Sequence, residues 1–292
     1  LPGETVRIAV TSDGAKFVRA DAVEVLTPSP DRVTPACAFA GPGRCGGCDW
    51  QHASSGIQLS MKTTLVAEQL HRVGGFTWDG AVEDVGPHLG WRTRSQWARG
   101  IGFHRHRSSV LEVVSSCVLA VDPLPPGELG SVVEVAALGS QRCVTVDGRG
   151  SGGLSVEVLG RRFEVAAGGF WQVHVASPEV LAAAVLDGLD PQVGDSVVDL
   201  YAGVGLFSAF LAEAVGPTGS VISIEGDRRA SDLAKSNMAD LRQVTTKAGR
   251  VARLPMDRDT LPDSVRLGAQ PEVPRNQRAG PVADPSPRSA AT

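Results

Sequence analysis

Three cysteines lie close together in the segment Cys37-x7-Cys45-Gly-Gly-Cys48. The Cys-x2-Cys step lets two thiolates reach one metal or cluster, and the glycines permit the tight turn between them. Cys117 can supply a fourth thiolate, and four cysteines suit a 4Fe-4S cluster. Zinc is the alternative, with His52 in place of Cys117 completing a Cys3His set. Cys143 lies within a strand pattern and is predicted to be a small buried core residue.

A second candidate site is the segment Asp199-Leu-Tyr-Ala-Gly203-Val-Gly205, where a strand pattern turns into a helix pattern. Glycines there let a ligand approach the backbone, and the amino end of a helix offers free N–H groups. Glu225 ends the next strand pattern, where it can accept hydrogen bonds from ribose hydroxyls. Ser208 replaces the third glycine of the dinucleotide pattern, which disfavours a nicotinamide or flavin. The acid before the first glycine favours S-adenosylmethionine; the alternative is an ordinary strand-to-helix turn.

The segment from Trp91 to Arg107 contains five arginines, two histidines, three large aromatic residues and no acid. Arginines contact phosphates and aromatic rings stack on unpaired bases, so this composition is typical of a surface that binds single-stranded or loop RNA. The alternative is a strand that packs its aromatic rings on one face and leaves its arginines in solvent. The candidate RNA contacts are Arg92, Arg94, Arg99, Arg105 and Arg107.

The elements that must position these residues follow from the hydrophobic pattern. Two alternating runs within 3–28, separated by Ser12-Asp13-Gly14, predict part of a small β-barrel. A helix is predicted over 57–73, and mostly strands over 91–173. After Pro178 the order helix, strand, helix, strand, helix indicates a doubly wound parallel sheet.

The same patterns predict how the chain divides. Residues 242–292 contain no Phe, Tyr or Trp, seven prolines and eight arginines, so we expect no regular structure there and an incomplete sheet. The predicted domains are a partial β-barrel (1–30), a β-rich cluster-binding domain (31–168), a partial cofactor-binding domain (169–241) and a disordered or aberrant tail (242–292).

Bulk properties narrow the class of protein. The chain has 292 residues and a net charge of −4, which argues against indiscriminate nucleic-acid binding over the whole surface. No stretch approaches the ~20 apolar residues of a membrane span, and Leu-Pro-Gly-Glu is not a secretion signal. We therefore expect a cytoplasmic protein that is a monomer, and a start at Leu1 suggests that a natural amino terminus precedes it. Five cysteines without a signal peptide favour a metal site over disulfides.

Together these segments resemble the RNA 5-methyluridine methyltransferase family, over about residues 2–241. The resemblance implies an α/β fold in which a Rossmann-like methyltransferase sheet follows a β-rich cluster-binding domain and a partial small RNA-binding β-barrel. The patternless tail makes that Rossmann-like sheet incomplete in this chain. The resemblance also implies S-adenosylmethionine and a 4Fe-4S cluster as cofactors, and transfer or ribosomal RNA as the partner. Asn237 matches an asparagine of the family. The cluster ligands it implies are Cys37, Cys45, Cys48 and Cys117, and the cofactor residues are Gln172, Asp199, Tyr201, Gly203, Gly205 and Glu225.

The family chemistry sets a further expectation. A cysteine thiolate adds to C6 of a flipped-out uracil, C5 takes the methyl group, and a carboxylate then removes the C5 proton. In the family these groups, and an Asp-Pro-Pro-Arg motif, lie beyond the second βα unit. This chain has no cysteine after Cys143, and Asp284-Pro-Ser-Pro-Arg288 only echoes the motif.

We therefore expect a truncated or frame-shifted ending, no identifiable catalytic residue and little or no turnover. The alternatives are a non-catalytic RNA-binding protein that keeps the cluster domain and a methyltransferase acting on a small molecule.

Overall fold

The computed structural model describes residues 1–14, 17–106 and 108–251. Twelve strands and four α-helices lie in these ranges, and the strands form four separate sheets. No helix in this part of the chain combines the length and apolar content that crossing a membrane requires.

The described residues form two compact units. The smaller covers 55–84 and contains helix α1 (Ser55–Gln69), which ends in a π-helical turn, Leu70–Gly74. Gly75 follows with a φ of +70°, a conformation in which glycine is the favoured residue. The helix predicted over 57–73 is confirmed. The larger unit covers 1–54 and 85–251 and contains every sheet.

The first sheet is an antiparallel hairpin of β1 (Thr5–Asp13) and β2 (Val18–Thr27). These are the two alternating runs predicted from the sequence. The hairpin forms a two-stranded sheet of its own in the described part of the chain, and Ile8 and Val10 are 54% and 59% exposed. The two strands are thus confirmed, whereas their membership of a barrel stays a prediction.

The second sheet is antiparallel and has the strand order β5-β4-β3-β6-β7. Its centre is Trp97, which is fully buried and packs against Phe103 with ring centroids 4.6 Å apart. The strand-rich pattern predicted for this part of the chain is confirmed. The strands are β3 (Arg94–Ala98), β4 (Gly102–His104), β5 (Leu111–Val113), β6 (Val132–Leu138) and β7 (Gln141–Val146).

A third sheet is the hairpin of β8 (Gly153–Val158) and β9 (Arg161–Ala166). The parallel part of the fold follows it, with three strands in the order β10-β11-β12. Its elements are α2 (Ser177–Leu189), β10 (Ser196–Leu200), α3 (Leu206–Val215), β11 (Ser220–Glu225), α4 (Arg228–Asn237) and β12 (Val244–Ala248).

Strand β12 corrects the predicted end of regular structure at residue 241. It pairs in parallel with β11, from Val221 opposite Val244 to Glu225 opposite Ala248. The sequence Val-Thr-Thr-Lys-Ala is half-exposed and lacks an apolar run, so its hydrophobic pattern is weak. The part of the predicted tail beyond residue 251 lies outside the described residues.

One hydrophobic core joins the β8–β9 hairpin to the parallel sheet. Phe163 of β9 is fully buried and packs against Phe210 of α3, with ring centroids 5.9 Å apart. Arg161 adds ion pairs from the start of β9 to Glu213 on α3 (2.8 Å) and to Asp240 after α4 (2.5 Å). Cys143 belongs to this core and is 9% exposed, so its prediction as a buried core residue is confirmed.

Candidate cofactor site and cysteine cavity

The glycine loop, residues 201–205, joins the end of β10 to the start of α3. Gly203 and Gly205 have φ values of +58° and +92°, in the left-handed region that glycine tolerates best. A Cβ atom on Gly205 would lie 2.8 Å from Cε of Met238, so a side chain at this position would require the end of the methionine side chain to move. Tyr201 adopts a φ of +64° although it is not glycine, and its side chain is 74% exposed. The loop backbone is therefore tightly turned and its tyrosine faces solvent.

Glu225 ends β11 and reaches the glycine loop of the neighbouring strand. Its Oε2 accepts a 2.8 Å hydrogen bond from the Gly203 N–H, and its Oε1 accepts a 2.8 Å bond from the Asp227 N–H. The structure therefore brings together two residues that the sequence predicted for one site. A carboxylate offers about four lone-pair directions, so Glu225 retains capacity for hydroxyl donors.

Asp199 occupies the buried side of the same loop, in β10. It is 9% exposed, and its Oδ2 accepts a 2.6 Å hydrogen bond from the Ser208 hydroxyl. Burial raises the pKa of Asp199, hydrogen bonds from the Ser208 hydroxyl and N–H oppose the rise, and Glu225 adds to it. Sequence reasoning treated Ser208 only as a missing glycine. The sequence does contain a signal for this pair. Asp199 lies in an apolar strand pattern, and Ser208, nine residues later, lies in the first turn of the next helix, where its hydroxyl can reach back to the acid.

Gln172 lies on the segment that follows β9, and it is half-buried. Its carbonyl accepts a hydrogen bond from Thr93 Oγ1 at 3.1 Å, and the Val173 carbonyl accepts one at 2.9 Å. These bonds fix the backbone of the segment. Within the described residues, no hydrogen bond joins the Gln172 side chain to the glycine loop, so its role as a cofactor contact stays a prediction.

The four predicted cluster cysteines, Cys37, Cys45, Cys48 and Cys117, line a single cavity. Burial raises the pKa of the Cys45 and Cys48 thiols, hydrogen bonds to their sulfurs oppose the rise, and the neighbouring cysteines add to it. In residues 1–14, 17–106 and 108–251, no group of three or more His, Cys, Asp or Glu side chains is arranged to hold a metal ion. The four cysteines nevertheless converge on one cavity. His52, the zinc alternative, does not belong to the cavity lining.

Two neighbours fix the cysteine loop. The Gln51 side chain donates to Cys48 Sγ (2.9 Å) and accepts from the Cys37 N–H (3.0 Å), which ties the two ends of the loop together. A Cβ atom on Gly46 would lie 2.8–2.9 Å from backbone atoms of His104 and His106. Only glycine therefore fits where the cysteine loop crosses the end of β4. The loop is therefore held by a side-chain bridge and by close backbone packing.

The five predicted RNA contacts have different surroundings. Arg94 pairs with Glu134 at 2.6 Å, and Arg105 pairs with Glu112 at 2.8 Å, so acids from other strands partly neutralise both. Arg92 lies over the Trp91 ring, 5.1 Å from its centroid, and lines the cysteine cavity. Trp91 in turn stacks on His174 at 5.3 Å. Arg99 is exposed on a turn, and Arg107 lies outside the described residues.

Comparison with known proteins gives consistent matches. Residues 167–252 match the family described as protein-L-isoaspartate(D-aspartate) O-methyltransferase (PCMT). An uncharacterized RNA methyltransferase of Streptomyces coelicolor is 40% identical, and the match covers 86% of this chain and 67% of that protein. A 23S rRNA (uracil(1939)-C(5))-methyltransferase of Pseudomonas fluorescens is 28% identical, over 85% of this chain and 68% of its own length.

The fold is shared with a solved structure. The tRNA (uracil-54, C5)-methyltransferase of Pyrococcus abyssi, in complex with S-adenosyl-L-homocysteine, has a TM-score of 0.61 and 15% identity. The likeness covers 85% of this chain and 73% of that one. At this identity the likeness bears on the fold alone, and it confirms the α/β methyltransferase fold predicted from the sequence.

Proposed function

The chain belongs to the RNA 5-methyluridine methyltransferase family, and on that premise we propose that it binds S-adenosylmethionine at the glycine loop for methylation of uridine C5 in transfer or ribosomal RNA. The observation that carries the proposal is the hydrogen bond from the Gly203 N–H to Glu225. It joins the carboxyl ends of two adjacent parallel strands, which is where open α/β sheets bind their ligands.

Each predicted cofactor residue has a role in this proposal. Glu225 accepts hydrogen bonds from the ribose hydroxyls, because it lies at the end of the strand next to the loop. The buried Asp199 attracts the ammonium group of the methionine part of the cofactor. A buried charge pair is favourable only when its groups are well hydrogen-bonded, and Ser208 supplies such a bond to the carboxylate. Gly203 and Gly205 keep side chains away from the ligand. Tyr201 covers the outer rim, and Gln172 contacts the cofactor from the segment after β9.

The cysteine cavity fits a 4Fe-4S cluster better than zinc. Four thiols line it, whereas His52, which a Cys3His site would need, is not among the lining residues. A 4Fe-4S cluster takes one thiolate on each of its four irons, which matches the number of cysteines that line the cavity. Such a cluster would supply structural cross-linking of the loop to the central sheet. Gln51 would orient Cys48 through its hydrogen bond to Sγ.

The RNA surface in this proposal centres on Arg92 and Arg99. Arg92 lies over Trp91 beside the cavity, and its guanidinium group suits a phosphate of the RNA. Arg99 is exposed. Arg94 and Arg105 contribute less, because they already pair with Glu134 and Glu112. A monomeric, cytoplasmic enzyme is part of the same proposal.

The transfer step requires a nucleophile that can reach C6 of uracil. Cys143 is buried in β7, and burial raises the pKa of its thiol, so it cannot offer an accessible thiolate. No cysteine follows it in the 292 residues. We therefore propose that this chain binds cofactor and RNA and forms little or no 5-methyluridine on its own.

Two measurements on the same preparation test the proposal. Isothermal titration calorimetry with S-adenosylhomocysteine tests the cofactor site, and we expect saturable binding at one site per chain. Transfer of labelled methyl groups to uridine-containing RNA tests turnover, and robust 5-methyluridine formation would overturn the expected lack of activity. RNA binding without S-adenosylhomocysteine binding would support the non-catalytic alternative instead.

A further inference from the structure

Asn237, the last residue of α4, contacts the backbone of two other elements. Its Oδ1 accepts a hydrogen bond from the Glu164 N–H at 2.9 Å. Its Nδ2 donates to the Glu164 carbonyl at 3.2 Å and to the Val204 carbonyl at 3.0 Å. The one amide group therefore joins α4, β9 and the glycine loop.

The two bonds to Glu164 resemble the pairing between strands. Glu164 lies opposite Ser155 in the β8–β9 hairpin, and its N–H and carbonyl are free to face the edge of the hairpin. An open strand edge needs partners for these groups, and the amide of Asn237 supplies both a donor and an acceptor. Asn237 is thereby fixed in orientation, because rotation of its amide would lose all three bonds.

The third bond fixes the glycine loop. Val204 lies between Gly203 and Gly205, so holding its carbonyl fixes the peptide group that joins it to Gly205. The next residue, Met238, packs so close to Gly205 that a Cβ atom there would lie 2.8 Å from Cε. The end of α4 thus holds the loop by a hydrogen bond at one residue and by packing at the next.

We propose that Asn237 is a positioning residue for the cofactor, which holds the Val204 carbonyl and so presets the Gly203 N–H and its Glu225 partner for binding. The inference rests on the proposed function, since it concerns the same loop. It adds a requirement: the Asn237 amide must hold the Val204 carbonyl for the loop to bind ligand well.

Arg161 provides a matched control in the same interface. It pairs with Glu213 and Asp240 and donates to the Asn237 carbonyl at 2.9 Å, yet it makes no hydrogen bond or ion pair with the glycine loop among the described residues. Removing its charge weakens the docking of the hairpin without touching Val204. A purely structural role of Asn237 would make the two variants behave alike.

The experiment compares wild type with Asn237→Ala, Asn237→Asp and Arg161→Met, by thermal unfolding and by calorimetric titration with S-adenosylhomocysteine. We expect Asn237→Ala and Arg161→Met each to lower the Tm by about 2–4 °C. Asn237→Ala should raise the Kd about tenfold, the effect of leaving the carbonyl of the buried Val204 without its donor, and Arg161→Met should leave it within about twofold.

Asn237→Asp keeps the size of the side chain and the acceptor for the Glu164 N–H but loses the donor for Val204. We expect it to bind as weakly as Asn237→Ala, which keeps the test valid if the alanine variant does not fold. Wild-type affinity in both Asn237 variants would overturn the inference, as would an equal loss of affinity in Arg161→Met. Absence of binding by the wild-type chain would instead overturn the proposed function, and this inference with it.

Discussion

The Ser208 hydroxyl donates a 2.6 Å hydrogen bond to Asp199 Oδ2, and the two side chains are almost completely buried. Position 208 is where a dinucleotide-binding loop has its third glycine. Here it holds a side chain that orients an acid under the loop, and the Ser208 N–H at the start of α3 adds a second donor to that acid. Serine in place of glycine at this position therefore adds a polar contact to Asp199.

Replacing Ser208 by alanine is expected to weaken both the fold and cofactor binding. The buried Asp199 would lose one of its donors, which costs about 1–3 kcal/mol in the free energy of unfolding. Because the carboxylate would also lose its fixed orientation, the Kd for S-adenosylhomocysteine should rise several-fold. Urea unfolding and calorimetric titration measure the two effects.

Ser223→Ala is the matched control for this variant. Ser223 lies opposite Asp199 in the sheet and is equally buried, and its Oγ has no hydrogen-bond partner in the described part of the chain. Its removal should leave stability and affinity unchanged or slightly increase stability. Equal losses in the two serine variants would mean that the Ser208–Asp199 bond has no special role.

Cofactor binding is expected to depend on pH through Asp199. Burial raises its pKa above the usual value of 3.8. Only the ionised carboxylate attracts the ammonium group of S-adenosylhomocysteine, so affinity should fall as the pH is lowered through this raised pKa. Asp199→Asn should bind weakly at every pH and lack this dependence. Titrations between about pH 4.5 and 7.5 would contradict the assignment if wild type and variant had parallel pH profiles.

The same pKa shift predicts the opposite effect on stability. Because the folded-state pKa lies above the unfolded one, ionisation of Asp199 lowers the free energy of unfolding. This loss of stability is absent at pH values below the pKa of Asp199 in the unfolded chain. It is complete at pH values above the pKa of Asp199 in the folded chain. Asp199→Asn should therefore be more stable than wild type at pH 7 while it binds the ligand less well. Thermal unfolding at acidic and neutral pH checks the sign, and a less stable variant at pH 7 would refute it.

Glu225→Gln is expected to loosen the glycine loop. An amide side chain has one oxygen, so it cannot accept from the N–H groups of both Gly203 and Asp227. The Gly203 N–H should exchange with solvent faster, and the Kd for S-adenosylhomocysteine should rise about tenfold or more, as expected when a charge-assisted hydrogen bond is lost. Hydrogen exchange and calorimetry measure these effects. Glu157→Gln makes the same change on an exposed β8 side chain and should alter neither quantity.

Local patterns in the sequence were sufficient to identify the glycine loop, the cysteines and most elements. Glycine spacing and the alternation of strand residues are local, because they follow from backbone conformation and from burial of one face. Strand β12 was not predicted, because its residues are half-exposed and show no apolar pattern. It is stabilised by backbone hydrogen bonds to β11, which a side-chain pattern does not reveal.

Contacts between residues distant in the sequence could not be predicted from local patterns. Arg94 stays a predicted RNA contact, and the structure adds its ion pair with Glu134 on the neighbouring strand β6. That pairing depends on strand register, which places the two residues near each other across the sheet. Asn237 was matched to a family asparagine, but its contacts with β9 and the glycine loop depend on how three elements pack. Such relationships become visible only once the tertiary fold is known.

The cysteine cavity leads to the last prediction, on metal content. Anaerobically purified chain should hold about four iron and four sulfide per molecule, the composition of a 4Fe-4S cluster. Cys117→Ala should lose most of that iron because Cys117 lines the cavity, whereas Cys143→Ala and His52→Ala should keep it, since neither residue lines the cavity. Stoichiometric zinc without iron or sulfide, lost in His52→Ala and kept in Cys117→Ala, would instead establish the Cys3His site. Elemental analysis with the absorption spectrum separates these outcomes, and retention of iron by all three variants would contradict the four-cysteine site.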